Sequence, residues 1–177
     1  MKRFIINFSL ILIAFVVYFL QENFFDWFTI AGVMPNLFVI FILFIGLFAG
    51  RNKGTVFGLV LGLMLDIVVG NRMGIYTIAL GGVGLIAGIF AKNFSKDSRI
   101  TIMLMVAGLT FLYELVVYLF NYLILNSNLE IFIFLKILII EVIYNIILTV
   151  IFYPLLKKFG YYIEHEYKGD KILTRYF

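Results

Sequence analysis

The chain has 177 residues, 64% of them hydrophobic and 14% charged, with a mean hydropathy of +1.10 and a net charge of +4. A water-soluble domain sits nearer half apolar, so this composition points to a membrane protein with little material outside the bilayer. Cysteine is absent and histidine occurs once, at His165, which excludes disulfides and thiolate sites and argues against a histidine metal cluster or a catalytic triad.

Six apolar segments follow one another, at 4–20, 34–49, 54–69, 75–90, 100–125 and 131–156. A helix crossing hydrocarbon needs roughly 20 apolar residues, with about 17 as the usual lower limit. The predicted fold is an all-α integral membrane protein: one domain, a compact six-transmembrane-helix bundle, with a short polar tail over 157–177. The first segment follows Lys2-Arg3 and imitates a secretion signal, but it is long and ends in Gln21-Glu22-Asn23 without a small-residue cleavage site, so it reads as a retained helix. Phe24, Phe25, Trp27 and Phe28 then suit the headgroup level. Spans two, three and four are short and joined by tight turns, Arg51-Asn52-Lys53 and Asn71-Arg72-Met73, as in an inner bundle shielded by longer neighbours. Spans five and six are long, which predicts tilt, kinks or protrusion. In the tail, Phe159, Ile163 and Tyr167 recur at roughly helical spacing, predicting a short amphipathic segment on the inner leaflet.

Basic residues set the orientation. Lys2, Arg3, Arg51, Lys53, Lys92, Lys96, Arg99, Lys157, Lys158, Lys168, Lys171 and Arg175 share one side if there are six crossings. The other side holds only Arg72 and Lys136, with Glu22, Asp26 and Glu130. Both termini are therefore expected in the cytoplasm, and the net positive charge follows topology rather than a nucleic-acid partner.

The most informative pattern is a glycine at every fourth position, Gly46, Gly50, Gly54, Gly58 and Gly62, then Asp66, then Gly70 and Gly74. Small residues at this spacing let helix backbones approach closely in lipid. Four residues turn a helix by about 400°, so the stripe drifts by about 40° per step. It serves either packing inside one chain or docking of a partner's membrane helix; Gly84 and Gly88 form a second, weaker pair. A buried carboxylate such as Asp66 is costly unless paired, and Lys136 or Arg72 are the expected ion-pair partners. Glu114 and Glu141 lie nearer mid-depth with no base at their level, beside Asn145, Tyr113 and Tyr144. At least one of the two glutamates is expected to carry a proton. They read either as polar glue between helices or as part of a proton or substrate route. No nucleophile, metal-ligand set or phosphate-cradling loop accompanies these acids, so neither catalysis nor a cofactor is expected.

Together these residues resemble the MreD family of bacterial rod shape-determining membrane proteins. The marks are Pro35-Asn36-Leu37, Gly46-x3-Gly50-Arg51 with Lys53-Gly54 at the inner turn, Gly58-x3-Gly62-x3-Asp66, Gly74-x-Tyr76, Glu114 and Asn145. Many members carry Asp where this chain has Asn36, so a carboxylate role there does not transfer. The resemblance implies a non-enzymatic subunit of the cell-elongation complex in the inner membrane. Its partners would be MreC and, directly or indirectly, the actin-like MreB, the glycan polymerase RodA and a class B transpeptidase. It also implies an architecture similar to the substrate-binding S components of energy-coupling-factor vitamin transporters, which supplies the alternative function. Such a component docks its coupling subunit through small residues four apart in span one, and here that span has Ala14 as its only alanine and no glycine. A conducting pathway through Asp66, Glu114 and Glu141 lacks a continuous polar face.

Overall fold

A computed structural model describes residues 2–69, 74–91, 96–125 and 130–168. Six helices alternate in direction. α1 (Lys2–Phe19) runs on into a π-helical turn at Leu20–Phe24. α2 (Leu37–Ala49), α3 (Arg51–Val69), α4 (Ile75–Phe90), α5 (Arg99–Leu125) and α6 (Ile131–Lys168) follow. Four of these, α1 with its π-turn, α3, α5 and α6, are long and apolar enough to cross a membrane, while α2 and α4 are shorter apolar helices.

α2 is the centre of the molecule. Every residue from Phe38 to Phe48 is buried, and all five other helices pack against it. A helix that is apolar on every face has no solvent or lipid side to favour, so it belongs inside the bundle. Two residues set its ends. Asn36 caps the start, its Oδ1 accepting from the Val39 amide at 3.2 Å. Gly50 closes the other end at φ 92° and ψ 173°, a backbone conformation open essentially to glycine alone, so that α3 begins at the next residue.

The end that carries Lys2 also carries the last turns of α6. The sequence predicts a separate short tail over 157–177, with an amphipathic segment marked by Phe159, Ile163 and Tyr167. Instead, α6 continues unbroken through Pro154 to Lys168, and 169–177 lie outside the described residues. Packing explains the continuity. Gly160 lies against the Phe48 ring, where a Cβ would fall 2.7 Å from Cγ, Ile163 is buried, and the Tyr167 hydroxyl meets Asn7 Oδ1. The opposite, distal end holds the 25–36 connection, turned at Ala31 and Gly32, both at positive φ, with Ile30 and Val33 paired across the turn.

Candidate functional site

α3 and α4 form the most extensive contact between any two elements. Their backbones touch because neither side places a Cβ between them. A Cβ added at Gly54 would fall 2.6 Å from Gly46 Cα and 2.7 Å from the Gly84 carbonyl oxygen. One added at Gly58 would strike the Leu80 carbonyl, one at Gly62 would strike Tyr76 and Thr77, and one at Gly88 would strike Arg51. The repeat therefore joins α2, α3 and α4 inside a single chain, and α4 covers the face that a partner's helix would need at Gly54, Gly58 and Gly62. Gly74 is the N-cap of α4 at φ 103°; Gly70 lies outside the described residues.

Asp66 closes this helix pair at its distal end. It is 3% exposed, and its carboxylate accepts from the Tyr76 amide at 3.0 Å, the Thr77 amide at 3.0 Å and the Thr77 hydroxyl at 2.5 Å. These amides belong to the first turn of α4, where N–H groups have no partner within the helix and the dipole favours negative charge. The expected ion pair with Lys136 is thereby corrected. Lys136 is exposed on α6, Asp66 makes no ion pair among the described residues, and Arg72 lies outside them. A helix N-terminus meets the carboxylate where Lys136 was expected.

A second polar group ties α2 to α5 and α6. Asn145, fully buried, accepts the Asn36 amide at 2.7 Å and donates to Thr110 Oγ1 at 3.0 Å. Gln21, in the π-turn, donates to the Pro35 carbonyl at 2.8 Å and accepts from the Leu37 amide at 2.9 Å, satisfying another amide at the start of α2. Glu114 is half-buried on α5, and Glu141 is buried on α6. Glu141 lines a cavity of about 320 Å³ at the distal end, with Gln21, Val33, Asn36, Tyr76 and Tyr113.

At the other end, Arg51 is exposed in the first turn of α3, and Lys53 Nζ stands 5.3 Å from the centre of the Tyr167 ring. The connection before α5 is clamped to α6 by two ion pairs, Lys96 to Glu164 at 2.6 Å and Lys157 to Asp97 at 2.7 Å. The Tyr161 hydroxyl also donates to Asp97 at 2.9 Å. The Lys157 ammonium, with this hydroxyl, holds the Asp97 carboxyl below the usual aspartate value. Among the described residues there is no group of three or more His, Cys, Asp or Glu able to hold a metal ion.

Apolar helices long enough to span a bilayer, a glycine-packed pair at their heart and a carboxylate used as a helix cap define an integral membrane protein built around backbone contact. The family model described as rod shape-determining protein MreD matches residues 2–162, and the chain belongs to that family. Neither a curated protein nor a solved structure matches it.

Several of the residues that organise this region carry little signal in the sequence. Thr77 is eleven residues from Asp66, and a polar residue in a first turn has many uses. Gln21 looks like the polar end of a span, and only its burial beside the start of α2 reveals its role. Thr110 has one visible signal, an isolated hydroxyl in an apolar stretch.

Proposed function

We propose that this chain is a non-enzymatic membrane subunit of the cell-elongation complex, organising lateral wall synthesis by binding MreC and, directly or indirectly, RodA, a class B transpeptidase and MreB. The family match over 2–162 carries this reading. In it, all six helices cross the inner membrane with both termini in the cytoplasm. The basic residues gathered at one end support that orientation. The short helices α2 and α4 are sheltered by their longer neighbours, so neither has to match the full hydrocarbon thickness alone.

The partner surface lies on what the fold leaves uncovered. The α3–α4 glycines are engaged within the chain, whereas α1 exposes Phe4, Phe8, Leu12, Phe15 and Phe19 along one face. That face, with the outer sides of α5 and α6, serves lipid and partner helices. The Gly54–Gly58–Gly62–Asp66 stripe supports the surface from within, and Arg51 and Lys53 stand at the cytoplasmic turn.

The distal cavity favours one second reading, a substrate-binding component of a vitamin transporter. Depletion in the native cell separates the two. Rounding of the cells with intact uptake of labelled vitamins supports the elongation role; lost uptake with intact rod shape supports the transporter.

A further inference from the structure

The distal cavity carries chemistry that a shape scaffold does not require. Its charged lining among the described residues is acidic, Glu22 at the exposed rim and Glu141 within, and no Lys, Arg or His contributes to it. Glu141 is 5% exposed, and its Oε1 has no hydrogen-bond partner. A buried acceptor without a donor is costly, so native structures usually supply one. The polar groups around it are engaged elsewhere: Gln21 with Pro35 and Leu37, Asn145 with Asn36 and Thr110. Asn36 likewise spends its amide on Asn145 and its Oδ1 on Val39, and Glu141 Oε1 stays unsatisfied.

Size and shape narrow the donor. Glu141 lies ten residues into α6, about 15 Å along the helix from its first turn, so an occupant has to reach well inside the bundle. The cavity, about 320 Å³, suits a small organic molecule. Phe38, Tyr76 and Tyr113 are among its lining residues, and aromatic rings attract cations. A bare metal ion would need more ligands than the described residues bring together.

We propose that this cavity binds a small organic cation bearing a primary amine or guanidinium group, whose N–H donors meet the Glu141 carboxyl group and whose charge is balanced by Glu141 and Glu22. Its failure would leave the cell-shape reading standing, since that reading rests on the family match and not on the cavity.

The test uses the full chain in lipid nanodiscs, titrated with putrescine and agmatine, and with butane-1,4-diol as a neutral analogue of nearly the same shape. Saturable binding of at least one amine is expected, about tenfold tighter than the diol and about tenfold weaker in Glu141→Gln, the scale of one charge-assisted hydrogen bond. Met34→Trp, at an exposed position on the rim, blocks entry without touching Glu141 and keeps the test decisive should Glu141→Gln fail to fold. It is expected to abolish binding. Absence of binding by both amines, equal affinity for the diol, or unchanged binding in either folded variant would overturn the proposal.

Discussion

The Asp66 carboxylate and the Thr77 hydroxyl lie 2.5 Å apart, joining the last turns of α3 to the first turn of α4. The same carboxylate receives the Tyr76 and Thr77 amides, so a side chain on one helix does the work that a capping residue normally does on its own. Charge, cap and close packing thus meet at one residue. The glycines below it bring the backbones together; Asp66 fixes the register in which they meet.

Asp66→Asn keeps the volume but exchanges one acceptor oxygen for a donor aimed at amides that also donate. A loss of about 2 kcal/mol is expected, the scale of hydrogen bonds to a charged group. Thr77→Val removes only the hydroxyl contact and should cost about 1 kcal/mol. Melting of the purified variants in detergent checks the order. Asp66→Asn stability equal to wild type would show that the charge is dispensable.

The glycines separate into two groups by what surrounds them. Gly58→Ala drives a methyl group into the Leu80 carbonyl and should destabilise by about 1–3 kcal/mol, with Gly58→Leu or Gly62→Leu failing to assemble and losing rod shape. Gly82 and Gly108 face open space within their helices. Replacing either with Ala should leave the fold intact or add up to about 1 kcal/mol from helix propensity. The comparison is read by monodispersity and melting temperature across the four positions.

Asn145→Leu removes the acceptor of the Asn36 amide and the donor to Thr110 while conserving much of the volume. Both groups are then orphaned in an apolar setting, and a loss of about 2–4 kcal/mol is expected. The damage should localise to the start of α2. Hydrogen exchange at 36–40 should rise in this variant more than exchange along α3.

The Asp97–Lys157 clamp gives a pH dependence of definite sign. Its folded carboxyl value lies below the unfolded one, so its stabilisation is complete above the ordinary aspartate value, about 3.9, and fades as pH falls through the lower folded value. After correction for intrinsic rates, amide exchange at the start of α5 should hold steady from neutrality to about pH 4 and accelerate only in stronger acid. In Asp97→Asn the steady region should already show the faster exchange.

Much of this was legible from residue spacing. The fourfold glycine repeat pointed to backbone contact because few other residues permit it, and an apolar stretch as uniform as 37–49 reads as a helix wherever it is placed. Partner choice was not legible. Whether Gly58 meets α4 or another protein depends on which helices become neighbours, and the periodicity is identical in both cases. The expected pairing of Asp66 with Lys136 is a related case. Sequence shows side-chain charges such as Lys136 but not the partial charge of a helix N-terminus, so the amides of Tyr76 and Thr77 do not stand out as partners. The helical spacing of Phe159, Ile163 and Tyr167 was legible, but not that this stretch runs on from α6 without a break and packs Gly160 against the Phe48 ring.

The claim that the glycine stripe operates within one chain is tested most directly by a crosslink. The protein has no cysteine, and a Cβ at Gly81 would fall 2.6 Å from the Leu59 side chain, so Leu59→Cys combined with Gly81→Cys introduces one adjacent thiol pair. Mild oxidation in native membranes should give an intramolecular disulfide, seen as a monomer with altered mobility under non-reducing conditions. Covalent dimers in place of that monomer, or no disulfide at all, would contradict the account.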